Sequence, residues 1–302
     1  MNNNQINCKA IYDRVKKAIK ADIEMLGITP VFYILRGEEN YASDIYMNLK
    51  VKTAEECGIR AYIKNISTDG NKEERKKIGA YPIRSDRDRV RAFNAGYVSD
   101  GIGILQLPAT KEQIEEFKWG FRDVDNLDEE LFRFINAGDY NERNLPATAR
   151  AALEILKQEL GELSGKRIAV VGCRSKTVGR YMHGILLKEN ATVLLYHSKS
   201  KIEDGEFEKC DAVISCVGVG GLISQRHFGN KKGCVCIDIG VSRGEDGKVC
   251  GDFDKDIREH QRFTPYTNGV GLLTRIFLMA SVAGAYCRGK MYVTTENGIE
   301  EL

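Results

Sequence analysis

The chain has 302 residues, 42% hydrophobic and 29% charged, enough for two α/β domains or one large one with a real core. Lys+Arg 45 against Asp+Glu 43 leaves a formal charge of +2, which offers neither a basic field for nucleic acid nor a polybasic membrane patch. Nine scattered cysteines without a CxxC, and histidines in no ligand-spaced pair, exclude a disulfide framework and a zinc site and point to a reducing cytosol.

The opening MNNNQINCKAIYDRVKK lacks the apolar region of a signal peptide, so a cytoplasmic protein is expected. From about Ile6 to Leu26, Ile11, Val15, Ala18 and Ile19 recur at helical spacing. Val31 to Leu35 is a short apolar run that predicts a buried strand. Ser43 is expected to cap a helix that stops at Gly58, and Arg60 to Ile66 to form the next strand. Lys72 to Arg91, with charges of both signs, reads as solvated helix faces. Ile102 to Leu107 is another buried strand, ended by Pro108. This β-α-β order with buried strands predicts a parallel sheet covered by helices.

Asp139 to Pro146 is short and polar and reads as a hinge before a helix over Thr148 to Leu160. A second alternation then runs through strands within 165–172, 191–196, 211–218 and 233–240, which predicts a doubly wound nucleotide domain. The stretch from Gly269 to Cys287 is apolar but interrupted by Arg275, so a packed helix over about Val270 to Arg288 is expected and no membrane span. The expected domains are 1–147 with 270–302, and 148–269.

The strand at Ile168–Val171 enters Gly172-Cys-Arg-Ser-Lys-Thr-Val-Gly179 and then a helix. Glycines at such a turn let backbone approach a cofactor, and a helix N-terminus faces its phosphates. The spacing is not GxGxxG, because Arg174 stands where a middle glycine would be, and a plain strand–helix connection is the competing reading. An NAD site carries a carboxylate roughly 20 residues on, at the end of the second strand. Here that strand ends in His197-Ser198-Lys199, so Arg174, Ser198 and Lys199 favour the 2′-phosphate of NADP, with NAD the lesser alternative.

GxRSxxVG at 172–179, ATVxxxHSKS at 191–200, GCVCIDIGV at 233–241 and GDFD at 251–254 resemble the bifunctional methylenetetrahydrofolate dehydrogenase/cyclohydrolase family. The first half agrees. Ser43, Tyr46 and Lys50 are similar to the family's S-x-x-Y-x-x-x-K helix, Asp100 to Pro108 to its DGILVQLP strand, and Arg122 to Asp125 to its KDVDG. The resemblance implies a two-domain α/β fold flanking a cleft, the second domain a Rossmann-type parallel sheet, in a homodimer. It also implies NADP as oxidant and a folate-borne one-carbon unit as substrate. Oxidation of the methylene carbon followed by ring-opening hydrolysis gives 10-formyltetrahydrofolate, a one-carbon donor for purine biosynthesis.

The resemblance makes Lys50 the catalytic lysine and Tyr46 its neighbour against the folate; the two are i and i+4 and share a helix face. Spacing alone would read as a surface lysine beside a half-buried tyrosine. A lysine enclosed by an apolar ligand and facing a methenyl cation meets desolvation and like-charge repulsion, which favour its neutral, proton-accepting form. Gln106 is implied to hold Lys50 and the reacting region, and Asp125 to accept from the pterin's N–H edge. Leu105, Leu107 and the loop Thr267, Asn268, Gly269, Val270 and Gly271 complete the implied substrate contacts. Gly172, Cys173, Arg174, Ser175, Ser198, Gly240 and Val241 make the implied cofactor site, and no metal is expected.

The sequence departs from the family in four places. Cys173 replaces a glycine, Pro146-Ala-Thr-Ala149 replaces PCTP, Asn126 replaces a glycine, and Thr267-Asn-Gly-Val-Gly-Leu272 replaces PGGVGP. Asn tolerates left-handed backbone better than most residues, so Asn268 is expected to preserve the turn. The departures spare Tyr46, Lys50, Gln106 and Asp125. An active but divergent enzyme is expected; the alternatives are a non-catalytic relative and a monofunctional one.

Overall fold

The structure, a computed structural model, describes residues 4–27, 29–37, 41–65, 101–106, 109–111, 113–114, 121–125, 127, 129–243, 249–287, 292–295 and 298–301. Lys72–Arg91, Leu107, Pro108 and Asn126 lie outside the described residues. Helix α1 (Cys8–Leu26) is followed by β1 (Val31–Arg36), α2 (Tyr41–Cys57), β2 (Arg60–Asn65), β3 (Gly101–Gln106) and β4 (Phe121–Asp123). These strands form a parallel sheet in the order β2-β1-β3-β4. Phe32 and Ile34 of β1, Ile104 of β3 and Met47 and Ala54 of α2 are buried, as the apolar runs require. Ser43 does not cap α2: the helix begins at Tyr41, so Ser43 lies inside its first turn. An ion pair of Arg36 with Asp44 at 3.0 Å ties that turn to the end of β1.

The chain continues through α3 (Glu129–Asn136), a 3-10 turn at Glu142–Asn144, α4 (Ala147–Leu160), β5 (Arg167–Val171), α5 (Gly179–Lys188), β6 (Thr192–Tyr196), β7 (Ala212–Ser215) and β8 (Val235–Asp238). The short pair β9 (Ser242–Arg243) and β10 (Val249–Cys250), β11 (Arg262–Phe263), α6 (Val270–Cys287) and the pair β12 (Tyr292–Thr295) and β13 (Gly298–Glu301) follow. A parallel sheet in the order β11-β8-β7-β5-β6 carries the doubly wound topology. Its winding reverses between β5 and β7, which makes the carboxyl ends of those two strands the place for a ligand. No helix among the described residues is long and apolar enough to cross a membrane.

The chain forms two compact units, residues 1–15 with 126–277, and residues 16–125 with 278–302. The sequence reading divides the chain at 147/148 and 269/270, and local packing explains the difference. Gln5 bridges to Phe263, and the Ile6 amide donates to the Phe263 carbonyl at 2.9 Å, so the first residues extend the sheet beyond β11. Helix α3 packs on α5: Phe132 meets Tyr181 edge-on, and Arg180 lies 4.7 Å from the Phe132 ring centroid. Gly184 makes this contact possible, since a Cβ there would stand 2.6 Å from the Ile135 carbonyl oxygen.

Candidate functional site

In the unit of residues 16–125, the parallel sheet delivers its chemistry at the carboxyl ends of its strands. Arg36 of β1 pairs in register with Gln106, the last residue of β3. One turn into α2 and beyond, Tyr46 and Lys50 sit on a single helix face. Lys50 is buried, 6% exposed, and its Nζ donates to Gln106 Oε1 at 2.7 Å. The same nitrogen lies 4.8 Å from the centroid of the Tyr46 ring. A lysine on one element and a glutamine 56 residues later are thus joined into one unit. Leu105 precedes Gln106 and is half-buried.

Asp125 follows β4, the strand beside β3. Its amide donates to the Asp123 carboxylate at 2.9 Å, an Asx turn that fixes the backbone two residues on. The Val124 amide donates to the Gly103 carbonyl at 3.2 Å, anchoring the turn to β3. Asp125 itself is half-buried, and an ionised carboxylate can only accept hydrogen bonds, as an N–H edge requires.

In the unit of residues 126–277, β5 runs into Gly172, whose φ is +90°. A Cβ there would stand 2.9 Å from the Cys216 carbonyl oxygen, so glycine is required where β5 and β7 diverge. A Cβ on Gly179 would lie 2.1 Å from the Gly172 carbonyl oxygen, and the start of α5 therefore closes tightly on the turn. The Ser175 amide donates to the Gly172 carbonyl at 2.8 Å. The Cys216 thiol donates to the Val171 and Gly172 carbonyls at 3.4 and 3.3 Å, and burial pushes it up to about 12, so it stays protonated.

These elements wall a cavity of about 560 Å³ lined by Gly172, Arg174, Ser175 and Ser198, together with Tyr196 and His197. The 197–200 turn is held by the His197 amide donating to Ser200 Oγ at 3.0 Å and the Ser200 amide to the His197 carbonyl at 2.8 Å. Ser198 stands exposed on that turn. The carboxylate of Glu206 accepts from the Tyr196 hydroxyl at 2.7 Å. Cys173, Lys199, Gly240 and Val241 do not line the cavity. Conversely, Cys216, Val217, Val219 and Leu222 line it without having been singled out by sequence. A carboxyl-end position on β7 was their one available signal.

The loop at 267–271 keeps its turn despite losing its prolines. Asn268 has φ +61°, the left-handed conformation expected of it. Gly269 is buried, and a Cβ there would stand 1.9 Å from the Pro265 carbonyl oxygen. A Cβ on Gly271 would meet nothing within 4 Å, so no contact within the described residues demands glycine there. Thr267 is exposed and Val270, the first residue of α6, is buried.

Asp238 ends β8, and its carboxylate accepts from the Asp252 and Phe253 amides at 3.0 and 3.3 Å. Burial pushes it up to about 6, those amides pull it down, and the nearby Asp252 carboxylate pushes it up again. A carboxyl raised above its unfolded value stabilises the native state when protonated; that contribution is full below the ordinary 3.8 and lost as pH rises through 6. Wild type should therefore lose roughly 1 kcal/mol between pH 5 and pH 7 relative to Asp238→Asn. Urea titrations of both proteins at the two pH values check this, and equal pH dependence would refute the titration.

Residues 146–290 match the family described as tetrahydrofolate dehydrogenase/cyclohydrolase, NAD(P)-binding domain. The chain is 34% identical over 258 residues to the bifunctional protein FolD of Ligilactobacillus salivarius, covering 84% of this chain and 85% of that one. It is similar to the crystal structure of the bifunctional enzyme FolD, a methylenetetrahydrofolate dehydrogenase/cyclohydrolase from Campylobacter jejuni. The TM-score is 0.76 at 25% identity, covering 93% of this chain and 98% of that one. The FolD of Trypanosoma brucei, solved with NADP cofactor and an inhibitor, shares the fold with a TM-score of 0.75 at 23% identity, covering 94% and 97% of the two chains.

Proposed function

The chain belongs to the tetrahydrofolate dehydrogenase/cyclohydrolase family, and we propose that Lys50, Gln106, Tyr46 and Asp125 carry its chemistry while the cavity at Gly172, Arg174, Ser175 and Ser198 takes its cofactor. The enzyme oxidises 5,10-methylenetetrahydrofolate to the methenyl form with NADP, then hydrolyses it to 10-formyltetrahydrofolate in one-carbon metabolism. The observation that carries the residue assignment is the buried Lys50 joined to Gln106 at 2.7 Å over the face of Tyr46.

The residues fit a dinucleotide. Gly172 and Gly179 leave no room for side chains at the turn, and Arg174 with two serines faces the cavity where a 2′-phosphate requires cationic and hydroxyl donors. When bound, NADP supplies the acceptor for the hydride that leaves the methylene carbon. Asp125 accepts from the amino and ring N–H edge of the pterin, and Tyr46 lies against the ring system; both restrict the folate to one pose. In hydrolysis, water oxygen bonds to the methenyl carbon and a water proton passes to the neutral Nζ of Lys50. The carbon–N5 bond then breaks, its electron pair on N5 takes up the proton from Nζ, the remaining hydroxyl proton leaves to solvent as the carbonyl forms, and the formyl group stays on N10. Gln106 Oε1 holds Nζ in line for that transfer.

The unit of residues 126–277 is the NADP domain in this reading, and that of residues 16–125 the folate domain. Eight of the nine cysteines are free thiols, which suits a cytoplasmic enzyme, and a homodimer belongs to the same reading. Formation of reduced nicotinamide from methylenetetrahydrofolate, followed by absorbance with each cofactor, tests the reading. Faster turnover with NADP than with NAD is expected, and no reduction with either cofactor would overturn it.

A further inference from the structure

Asp252, in the Gly251-Asp252-Phe253-Asp254 segment, takes no part in the chemistry above, yet it is completely buried. Its carboxylate accepts from Ser215 Oγ at 2.7 Å and from the backbone amides of Val217, Gly218 and Val219 at 2.8, 2.9 and 2.8 Å. Successive amides converging on one point are the arrangement by which a loop binds a phosphate. Here the chain's own carboxylate occupies that place, so the loop turns its amides inward. What it presents to the 560 Å³ cavity is the side chains of Val217 and Val219, 41% and 50% exposed.

Two glycines build this arrangement in. A Cβ on Gly240 would stand 2.0 Å from an Asp252 carboxylate oxygen, and a Cβ on Gly251 would stand 2.0 Å from an Asp238 carboxylate oxygen. Each carboxylate therefore lies flat on the glycine beside the other. The family likeness at Gly240 thus has a cause in packing: the position serves the Asp252 carboxylate, not the cavity directly.

We propose that Asp252 is a positioning residue of the cofactor site, holding the Val217–Val219 loop as an apolar wall for the ring systems of the dinucleotide. The anionic groups of the cofactor are left to the Gly172–Gly179 turn, Arg174 and Ser198. The proposal rests on the reading that this cavity takes NADP. Asp252→Asn keeps the volume but turns an amide donor toward backbone donors, so the loop can no longer be held in its present form. Ser215→Ala removes one of the four donors from a fully buried position that does not line the cavity.

Calorimetric titration of NADP onto the whole chain, paired with methenyltetrahydrofolate hydrolysis measured without NADP, separates positioning from scaffold. Asp252→Asn should raise the NADP Kd at least about tenfold and Ser215→Ala about two- to fourfold, as expected for lost and weakened hydrogen bonds to a charged group. Hydrolysis, which needs no nicotinamide, should fall far less than NADP binding in both. Unchanged Kd in both variants with a lowered unfolding midpoint would overturn the proposal, as would equal losses of binding and hydrolysis. If Asp252→Asn fails to fold, the Ser215→Ala titration decides alone: a raised Kd supports positioning and an unchanged one overturns it. A wild-type chain that binds no NADP would instead remove the cofactor reading, and this proposal with it.

Discussion

Lys50→Met should lower the rate of methenyltetrahydrofolate hydrolysis by about 10²- to 10⁴-fold, the range spanned by loss of a positioned acid–base group. Methionine keeps the stem that fills this buried position but removes the amine. The lost functions are the 2.7 Å hydrogen bond to Gln106 and the amine over the Tyr46 ring that takes the proton from water in this reading. NADP affinity should change little, because the cofactor cavity is built from residues 171–222 and contains no part of α2. Stopped-flow absorbance of the methenyl chromophore gives the rate, and cofactor titration gives the affinity. Hydrolysis at the wild-type rate would remove Lys50 from the mechanism.

Arg174→Ala should weaken NADP binding by roughly 1.5–3 kcal/mol, about 10- to 150-fold, and leave NAD almost unaffected. The difference is one of charge. Arg174 is exposed at the cavity with Ser175 and Ser198, and the carboxylate of Glu206 near the second strand's end is engaged by the Tyr196 hydroxyl. A 2′-phosphate gains a guanidinium there, whereas a bare ribose hydroxyl gains little. Cys173 does not line the cavity, so the side chain that replaces a glycine leaves Arg174 at its edge. Equal losses for the two cofactors would refute a 2′-phosphate role.

The long strands and helices were legible because each carries its own local signal: an apolar run, a glycine stop, or helical spacing. Strands β4 and β11 were not, since three and two residues have no periodicity and exist through pairing with β3 and β8. Ser43 illustrates a different loss. A serine before an apolar-periodic segment reads as a cap, but α2 starts two residues earlier at Tyr41. Within the site, the Tyr46 and Lys50 spacing marked a helix face, while the partnership with Gln106 spans 56 residues and came only from the resemblance. Asp252 was invisible for a related reason. In sequence GDFD served only as one motif of the resemblance, with no role for Asp252, and only the fold brings its carboxylate beneath the amides that follow β7.

The central claim is that one chain performs both reactions and that Lys50 serves the second. The most direct measurement gives wild type and Lys50→Met methylenetetrahydrofolate with NADP and follows reduced nicotinamide and the methenyl chromophore together. Both proteins should form reduced nicotinamide, with the methenyl form accumulating in the variant and passing on to 10-formyltetrahydrofolate in wild type. A variant that forms reduced nicotinamide and clears the methenyl form as fast as wild type would contradict the account.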